Sequence, residues 1–182
     1  MNISDQEILD RFRSGIRKDL AFGSLVGKYQ ERLYWHIRKI VLNHDDTDDV
    51  LQNTFLKVWK NVDSFREESS LFTWLYRIAT NESLTFLNKK KKHSITPLDD
   101  VSEYLKQNLE ADEYFDGDGI QLKLQRAILT LPEKQRLVFN MRYFDEMPYQ
   151  EMSEILDTSI GALKASYHHA SKKVEEFLNN TE

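Results

Sequence analysis

Cysteine is absent from the 182 residues of this chain. Its absence excludes disulfide scaffolds, thiolate-bound zinc and cysteine nucleophiles. Long apolar runs are also missing, so no segment is expected to span or insert into a membrane, and the acidic start differs from a signal peptide. We therefore expect a soluble protein of the cytoplasm. A composition without cysteine is compatible with the reducing conditions there.

The sequence also lacks the motifs of the common enzyme classes. It has no glycine-rich phosphate loop, nucleophile elbow or zincin motif. Four aspartates between positions 45 and 49 could suggest a metal site, but no ligands recur at a suitable interval, and carboxylates also favour the first turn of a helix. Adjacent His168 and His169 would point in different directions on a helix. We therefore predict a binding protein without catalytic activity, cofactor, metal or small-molecule substrate.

The charge of the chain is distributed unevenly. A net charge of −5 argues against a protein that simply coats DNA. Residues 93–119 hold one lysine and eight acidic residues, whereas residues 1–92 hold 16 basic and 13 acidic residues. The middle segment alone therefore makes the chain acidic.

Apolar residues recur at intervals of three and four almost throughout, which is typical of helices. A capping box at Ser4 opens a first helix, with Phe12 and Ile16 on its apolar side. Further helices are predicted at about residues 20–42, from near Thr47, and from a cap at Ser69 or Ser70 to the end of a four-lysine run. The expected fold class is all-α.

Residues 93–119 interrupt this pattern and predict a linker. The segment combines proline, glycine and acidic residues, with a short helical turn expected at 101–109. Extended, it would reach roughly 90 Å, and as a coil it would average about 30 Å. We therefore divide the chain into a helical N-terminal domain (1–92), the acidic linker (93–119) and a C-terminal domain (120–182). Such a linker lets the two domains sit apart on a common partner.

The last two helices have the spacing of a helix-turn-helix. A short helix begins at Pro148, a turn follows at 157–159, and Ser159 caps the final helix. The residues that can pack inward are Ala162, Leu163, Tyr167, Ala170 and Val174. The outward hydroxyls, amines and imidazoles could reach bases or phosphates in a major groove. An ordinary amphipathic helix of a bundle fits the spacing equally well.

The fourth helix offers a second candidate nucleic-acid surface. Lysines bind phosphates, and aromatic rings stack on unpaired bases with about 1–3 kcal/mol per base. The run Lys89 to Lys92 could equally complement the end of the helix dipole. By composition alone, Phe72 and Trp74 fit a hydrophobic core better than a stacking platform.

Several segments together resemble one family, the bacterial sigma-70 family, and within it the extracytoplasmic-function (ECF) group. Residues 46–59 resemble the segment that grips the RNA polymerase clamp. Residues 65–81, with the run Thr-Trp-Leu-Tyr-Arg-Ile-Ala-Thr-Asn, resemble the promoter-melting segment that reads the −10 element. Residues 131–139, 149–156 and 161–164 resemble the domain that binds the −35 element. The segments follow the family's order, with the linker in the expected place.

The resemblance implies a role for individual residues. Contact with core polymerase is implied for Asp48, Asp49, Gln52, Phe55 and Trp59. Contact with the opened −10 strand is implied for Phe65, Ser69, Ser70, Phe72, Trp74, Arg77, Asn81, Lys89 and Lys90. Contact with the −35 major groove is implied for Ser159, Ala162, Lys164, Ser166 and His168. The acidic linker would lie in a basic channel of the polymerase.

The sequence departs from the family pattern at two places. Thr85 and Asn88 stand where an acidic residue and arginines are usual. Ser166, His169 and Ser171 stand where the recognition helix usually carries arginines. We therefore expect fewer phosphate contacts, and −35 binding that is weaker and less dependent on salt.

The resemblance implies a non-enzymatic sigma factor. Such a protein binds core RNA polymerase, recognises −10 and −35 promoter elements and promotes DNA opening, and an anti-sigma factor is its expected regulator. One alternative is a stand-alone helix-turn-helix regulator that dimerises on a palindromic site without polymerase. Another is a helical interaction module, such as a decoy that sequesters sigma factors without supporting transcription.

Overall fold

The computed structural model describes residues 3–93, 100–111 and 119–180. Within these ranges the chain forms nine α-helices and no strand, which confirms the all-α prediction. The helices are α1 (Asp5–Ser14), α2 (Lys18–Val41), α3 (His44–Asn61), α4 (Leu71–His93), α5 (Asp100–Glu110), α6 (Gly119–Leu129), α7 (Glu133–Tyr143), α8 (Tyr149–Leu156) and α9 (Ile160–Asn180). A 3-10 turn, Val62–Ser64, lies between α3 and α4. No helix in these ranges has the length and apolarity needed to cross a membrane.

Capping residues determine where the first helix begins and ends. The Ser4 hydroxyl accepts a hydrogen bond from the Glu7 N–H at 3.2 Å, as the capping box predicts. Gly15 ends α1 with a φ of 70°, in the left-handed region that glycine adopts at little cost. Ile16 therefore lies beyond the helix and is 72% exposed. Its placement on the apolar side of α1 was wrong.

Side-chain caps also fix the starts of α3 and α4. The Asn43 Oδ1 atom accepts the Asp46 N–H at 3.0 Å, so α3 begins at His44 rather than near Thr47. The Ser70 hydroxyl accepts the Thr73 N–H at 3.0 Å, which makes Ser70 the cap of α4. These caps orient the two helices that carry most of the predicted contact residues.

The N-terminal core is built around α2. Leu25, Leu33 and Ile37 from α2 and Leu75 from α4 are fully buried. Helix α2 packs against α1, α3 and α4. Burial of such side chains contributes roughly 1.5–3 kcal/mol each. The outer sides of α3 and α4 are thus held on a rigid support.

The predicted linker contains a complete helix rather than a short turn. Helix α5 packs against α4 and α6, and its Leu105 and Leu109 are buried. Their spacing of four places both residues on one side of the helix. The other parts of the predicted linker, residues 94–99 and 112–118, lie outside the described residues.

The C-terminal domain consists of α6 to α9, with a core that includes Ile128, Phe139 and Val174. Helix α8, a left-handed residue at Asp157 and helix α9 form the expected helix-turn-helix. The inward prediction holds for Leu163, Ala170 and Val174, and Tyr167 is half-buried. Ala162 was placed wrongly, because it is exposed. One residue turns a helix by about 100°, so the residue before Leu163 points away from the core.

The two domains are in contact with each other. A continuous apolar cluster extends from α1–α4 into the C-terminal domain, where it includes Met141, Met147, Met152 and Ile155. Helix α8 packs on α4, and α7 contacts α2. The length of the linker permits separated domains, but the structure shows them closed on one another.

Candidate protein and nucleic-acid surfaces

The outer side of α3 carries the residues predicted to contact polymerase. We call this surface the α3 face, made of Asp48, Asp49, Gln52, Phe55, Leu56 and Trp59. Asp48, Asp49 and Gln52 are exposed, and Phe55 is half-buried. The Asp48 carboxylate lies 3.6 Å from His44 Nε2, an exposed pair. Acidic and amide groups thus form a polar stripe along one side of the helix.

The C-terminal end of the α3 face is apolar and packs against aromatic rings of α1 and α2. Trp59 is 43% exposed, yet its ring packs edge-on against Phe22 at 5.0 Å and Phe12 at 6.2 Å. Phe55 also meets Phe22, at 6.1 Å. Leu56 is 52% exposed and was missed by the sequence analysis. A fixed, partly exposed tryptophan ring is the kind of side chain that is enriched in protein-binding hot spots.

The start of α4 carries most of the residues predicted to meet the −10 strand. We call this surface the α4 face, made of Phe65, Ser69, Ser70, Phe72, Trp74, Arg77 and Asn81. The Ser70 hydroxyl caps the helix and lies 2.8 Å from Thr73 Oγ1. Phe65 is 8% exposed and packs against Trp74, with ring centres 5.0 Å apart. Phe65 therefore supports the Trp74 ring and the loop before α4 from the core side.

The middle of the α4 face combines an aromatic ring with a cation. The Phe72 ring is half-buried, with the Arg32 guanidinium 4.3 Å and the Tyr76 ring 4.2 Å from its centre. The Tyr76 hydroxyl donates to the Arg32 carbonyl at 3.3 Å. Burial raises the pKa of Tyr76 to about 12, and the charge of Asp145 adds to the effect. Tyr76 is thus a neutral hydrogen-bond donor that orients its neighbours.

Arg77 and Asn81 are exposed and lie one turn apart on α4. The Arg77 Nη2 atom donates to the backbone carbonyl of Glu154 in α8. This contact joins the N-terminal domain to the C-terminal domain. Arg77 thus makes a contact within the chain, and its DNA contact stays a prediction.

The two lysines predicted to bind −10 phosphates differ in their surroundings. Lys89 is exposed. The Lys90 ammonium lies 3.8 Å from the Asp46 carboxylate and 4.9 Å from the centre of the Tyr104 ring. Burial raises the pKa of Asp46, while Lys90 acts in the opposite direction. Lys90 therefore ties the end of α4 to the start of α3.

The N-terminal half of α9 carries the third predicted surface. We call it the α9 face, made of Ser159, Ala162, Lys164, Ser166 and His168. Ser159 caps the helix, and its hydroxyl accepts the Ala162 N–H at 3.3 Å. All five side chains are exposed except Ser166, which is half-buried. Lys164 lies 5.8 Å from the centre of the Tyr149 ring of α8, so the two helices support each other.

Sequence reasoning missed several residues that shape these surfaces. Leu56 could have been found, because an apolar residue one turn after Gln52 interrupts a polar stripe. Arg32 and Asp145 gave no local signal. Arg32 is 40 positions before Phe72 in the sequence, and Asp145 contacts Lys39 across a sequence separation of 106. Only the tertiary fold brings such pairs together.

Comparison with known families finds two matches. The family description "Sigma-70 region 2" matches residues 25–93, which span most of α2 and all of α3 and α4. The description "Sigma-70, region 4" matches residues 121–174, which span α6 to most of α9. The first match thus contains the α3 and α4 faces, and the second contains the α9 face.

Individual relatives match over nearly the whole chain. The ECF RNA polymerase sigma-E factor of Escherichia coli K12 is 29% identical over 95% of this chain and 93% of its own length. That of Haemophilus influenzae is 26% identical over 95% of this chain and 94% of its own length.

Two solved structures share the fold. CnrH in complex with the cytosolic domain of CnrY has a TM-score of 0.71, with 21% identity over 98% of this chain and 99% of CnrH. The sigma factor RpoE in complex with the anti-sigma factor NepR from Bartonella quintana has a TM-score of 0.67, with 20% identity over 88% and 98% of the two chains. Because both domain matches and full-length relatives agree, this chain belongs to the sigma-70 family of sigma factors and to its ECF group.

Proposed function

We propose that this chain binds core RNA polymerase, directs it to promoters with specific −10 and −35 elements, and promotes DNA opening. The observation that carries the proposal is the order of three surfaces within the two matched family segments. The corresponding units are residues 1–92 for polymerase and −10 binding, 93–119 as linker, and 120–182 for −35 binding. The relatives named as sigma-E factors support the same role.

The α3 face binds the polymerase in this proposal. Its carboxylates attract a basic surface, and its apolar end gives contact area. Exposed charged pairs contribute little each, so the Trp59 ring supplies most of the affinity and Leu56 adds apolar contact area beside it. The carboxylates instead steer the encounter and set the orientation of the two proteins.

The α4 face holds the opened −10 strand. Bases that leave the duplex lose their stacking, and a protein recovers this cost by offering rings and polar pockets. Phe72, flanked by Arg32, offers such a ring, and Ser69 and Ser70 offer hydroxyls beside it. Stacking supplies about 1–3 kcal/mol per base, so opening needs binding energy but no hydrolysis.

The α9 face reads the −35 element in the major groove. Lys164 supplies a charged donor, and Ser159 and His168 supply smaller polar contacts. With few cations near the groove, affinity depends on salt less steeply than for an arginine-rich helix. Polymerase binding therefore has to hold this domain near the DNA.

The partners follow from this role. They are core RNA polymerase and promoter DNA, and no small-molecule substrate or cofactor is needed. An anti-sigma factor regulates the chain. The structural neighbour RpoE is described in complex with the anti-sigma factor NepR, and CnrH in complex with the cytosolic domain of CnrY. The site of action is the cytoplasm, where the polymerase and the DNA are found.

Transcription in vitro tests the proposal. Core polymerase and this chain are incubated with genomic fragments, and start sites are mapped. We expect starts that depend on the added chain. Asp49→Lys lowers core affinity and transcription, whereas Glu175→Lys, an equal charge change on an exposed residue of α9, leaves both unchanged.

Two results would contradict the proposal. One is a chain that never co-purifies with core polymerase. The other is tight binding to a palindromic site by a dimer without polymerase, as the stand-alone regulator requires. That alternative is not favoured, because residues 25–93 match a sigma domain rather than a sensor or dimerisation domain.

A further inference from the structure

A groove lies between α2 of the N-terminal domain and α6 and α7 of the C-terminal domain. Trp35, Arg38 and Leu42 line it from α2, and Tyr143 and Phe144 line it from the end of α7. We call it the aromatic groove. Its volume is about 440 Å³, within the range of about 300–1,000 Å³ that is typical of small-molecule sites. Its described lining includes no residue of the α3, α4 or α9 face, so the proposed function gives it no role.

The aromatic groove gathers exposed rings that are rare elsewhere in the structure. Trp35 is 40% exposed, Tyr143 50% and Phe144 37%. In the rest of the described ranges, only the Trp59 ring is similarly open to solvent. Single exposed apolar side chains are ordinary, whereas a group of them marks a binding surface. Three exposed rings around one groove therefore indicate a ligand.

The rings of the groove are held in place by their neighbours. Tyr143 stacks on the buried Phe139 ring with 5.1 Å between ring centres, and it meets Phe144 edge-on at 5.0 Å. On the α2 side, Trp35 meets the Tyr34 ring edge-on at 5.3 Å. Rings that are already fixed lose little conformational entropy when a ligand binds. The groove is thus preformed for a flat molecule.

The charged lining of the groove is positive. Arg38 and Lys39 line it, and none of its described lining residues is acidic, although acidic residues outnumber basic ones by 30 to 25 in the chain. The Lys39 ammonium donates to Asp145 Oδ1, so its charge is largely compensated. The Arg38 guanidinium has five donors in one plane and can hold an anion beside another partner. The groove therefore matches a ligand with one negative group.

Helix α6 completes the groove with an apolar side chain between two amides. Leu124 lines it together with Gln121 and Gln125, which lie one turn apart on the same side of the helix. Each amide can donate and accept hydrogen bonds. A mainly apolar lining with a few polar groups is the usual composition of a small-molecule site.

A nucleic-acid strand matches this groove less well. It carries a phosphate at every nucleotide and is held by several cations in a row. The groove offers two cations, and Lys39 is already bonded to Asp145. A compact molecule with one charge is therefore the better occupant.

We propose that the aromatic groove binds a small planar aromatic molecule that carries a single carboxylate or sulfonate group. The rings contact the flat faces of this ligand, and Arg38 pairs with its negative group. The inference goes beyond the proposed function, in which no small molecule takes part. Because both domains line the groove, the site requires the full chain.

The test uses two fluorescent probes that differ in one group. Anilinonaphthalene sulfonate is a planar aromatic monoanion, and phenylnaphthylamine has the same rings without the sulfonate. Both probes fluoresce more strongly in an apolar site, so titration of the full chain gives their affinities. We expect the sulfonate to bind the wild-type chain at a single site.

One variant tests the charge of the groove. Arg38→Gln should weaken binding of the sulfonate about tenfold and change the affinity for phenylnaphthylamine less than about twofold, because only the sulfonate pairs with the guanidinium. The matched control is Arg126→Gln, the same change at an exposed residue of α6 outside the groove, which should alter neither affinity.

A second variant tests the space of the groove. Gln121→Trp places a bulky ring in the groove from an exposed position and should abolish binding of both probes. Its control, Gln150→Trp, adds the same side chain at an exposed position of α8 outside the groove and should leave binding unchanged.

Three results would overturn the proposal. Equal weakening of the sulfonate in Arg38→Gln and Arg126→Gln would mean that it responds only to the overall charge. Undiminished binding in Gln121→Trp would place the probe elsewhere on the surface. Equal loss of both probes in Arg38→Gln would indicate an apolar surface without an anion site. None of these measurements involves polymerase, so failure here is distinguishable from failure of the proposed function.

Discussion

The α3 and α4 faces lie on adjacent helices of one domain but differ in their accessibility. On α3, the carboxylates, Leu56 and part of Trp59 are open to solvent. On α4, Arg77 is exposed but donates to the Glu154 carbonyl, and Phe72 lines an open groove shared with the C-terminal domain. The proposed polymerase surface is therefore open in this structure, whereas part of the proposed −10 surface contacts the C-terminal domain.

The two faces also differ in how they are built. The α3 face lies on a single regular helix, backed by the Phe12 and Phe22 rings. The α4 face includes a loop, a capping serine and a buried ring. Phe65 is buried and Ser70 caps α4, whereas the carboxylates and Leu56 of the α3 face are exposed. We therefore expect stability effects on the α4 face and binding effects on the α3 face.

The largest expected effect is that of Phe65→Ala. Phe65 is 8% exposed and packs on Trp74, so its removal leaves a cavity beneath the loop. We expect the free energy of unfolding to fall by about 3–5 kcal/mol, as for other buried phenylalanines. Urea unfolding of the purified chain measures the change.

The matched control for this prediction is Leu56→Ala, which truncates a side chain that is 52% exposed. Its free energy of unfolding should change by less than about 0.5 kcal/mol. Similar losses for the two variants would show that Phe65 does not support the α4 face.

The second effect concerns binding by the α3 face. Leu56→Ser removes exposed apolar area beside Trp59 and should weaken binding to core polymerase about tenfold, or about 1.4 kcal/mol, without a comparable loss of stability. Fluorescence titration of labelled chain with core enzyme measures it. Leu20→Ser, the same change at a 47% exposed position of α2, is the control. Equal affinities for both variants would remove Leu56 from the interface.

A third effect tests the cap of α4. Ser70→Ala removes the hydroxyl that accepts the Thr73 N–H, and we expect a loss of about 1 kcal/mol in the free energy of unfolding. Ser69→Ala should cost less, because Ser70 rather than Ser69 caps the helix. Chemical denaturation of both variants gives the comparison. The opposite order would mean that Ser69 holds the helix start.

Local chemistry made much of this fold predictable from sequence. The Ser4 cap of α1, the cap of α4 and the helix-turn-helix all depend on neighbouring residues, and the structure contains each of them. Apolar spacing likewise located α2 to within a few residues. The prediction for Ile16 failed because the periodicity was extended past Gly15, where a left-handed residue ends the helix.

The linker and the surfaces show what sequence reasoning could not supply. Acidic composition predicted an irregular segment, but Leu105 and Leu109 gain enough burial to hold α5 on its neighbours. The surface residues were assigned by resemblance, and their roles stay predictions. No contact of Asp145 could be predicted from the sequence. Its partners come from α2 and are adjacent to it only when the domains are in contact.

The smallest expected effect is a response of the closed arrangement to acid. Burial alone would raise the pKa of Asp145, but His36 and Lys39 outweigh it and hold the pKa below its usual value of 3.8. A carboxyl with a lowered pKa stabilises the closed state at pH values above its ordinary pKa. That stabilisation is lost as the pH falls through the lowered value.

Because the chain has no cysteine, dyes on cysteines introduced at the exposed positions 30 and 172 report the separation of the two domains by energy transfer. The transfer is followed below about pH 5, where carboxyl groups titrate. Asp145→Asn is compared with Glu146→Gln, which makes the same charge change on an exposed neighbour.

In Glu146→Gln we expect transfer to fall once the pH drops below 3.8, as the Asp145 carboxylate takes up a proton. In Asp145→Asn this component should be absent, since no proton can be bound there, and other carboxyls contribute equally to both curves. Coincident curves for the two variants would mean that Lys39 and His36 do not hold the domains together through Asp145. The α4 face would then be covered by apolar packing alone, and its difference from the α3 face would not depend on charge.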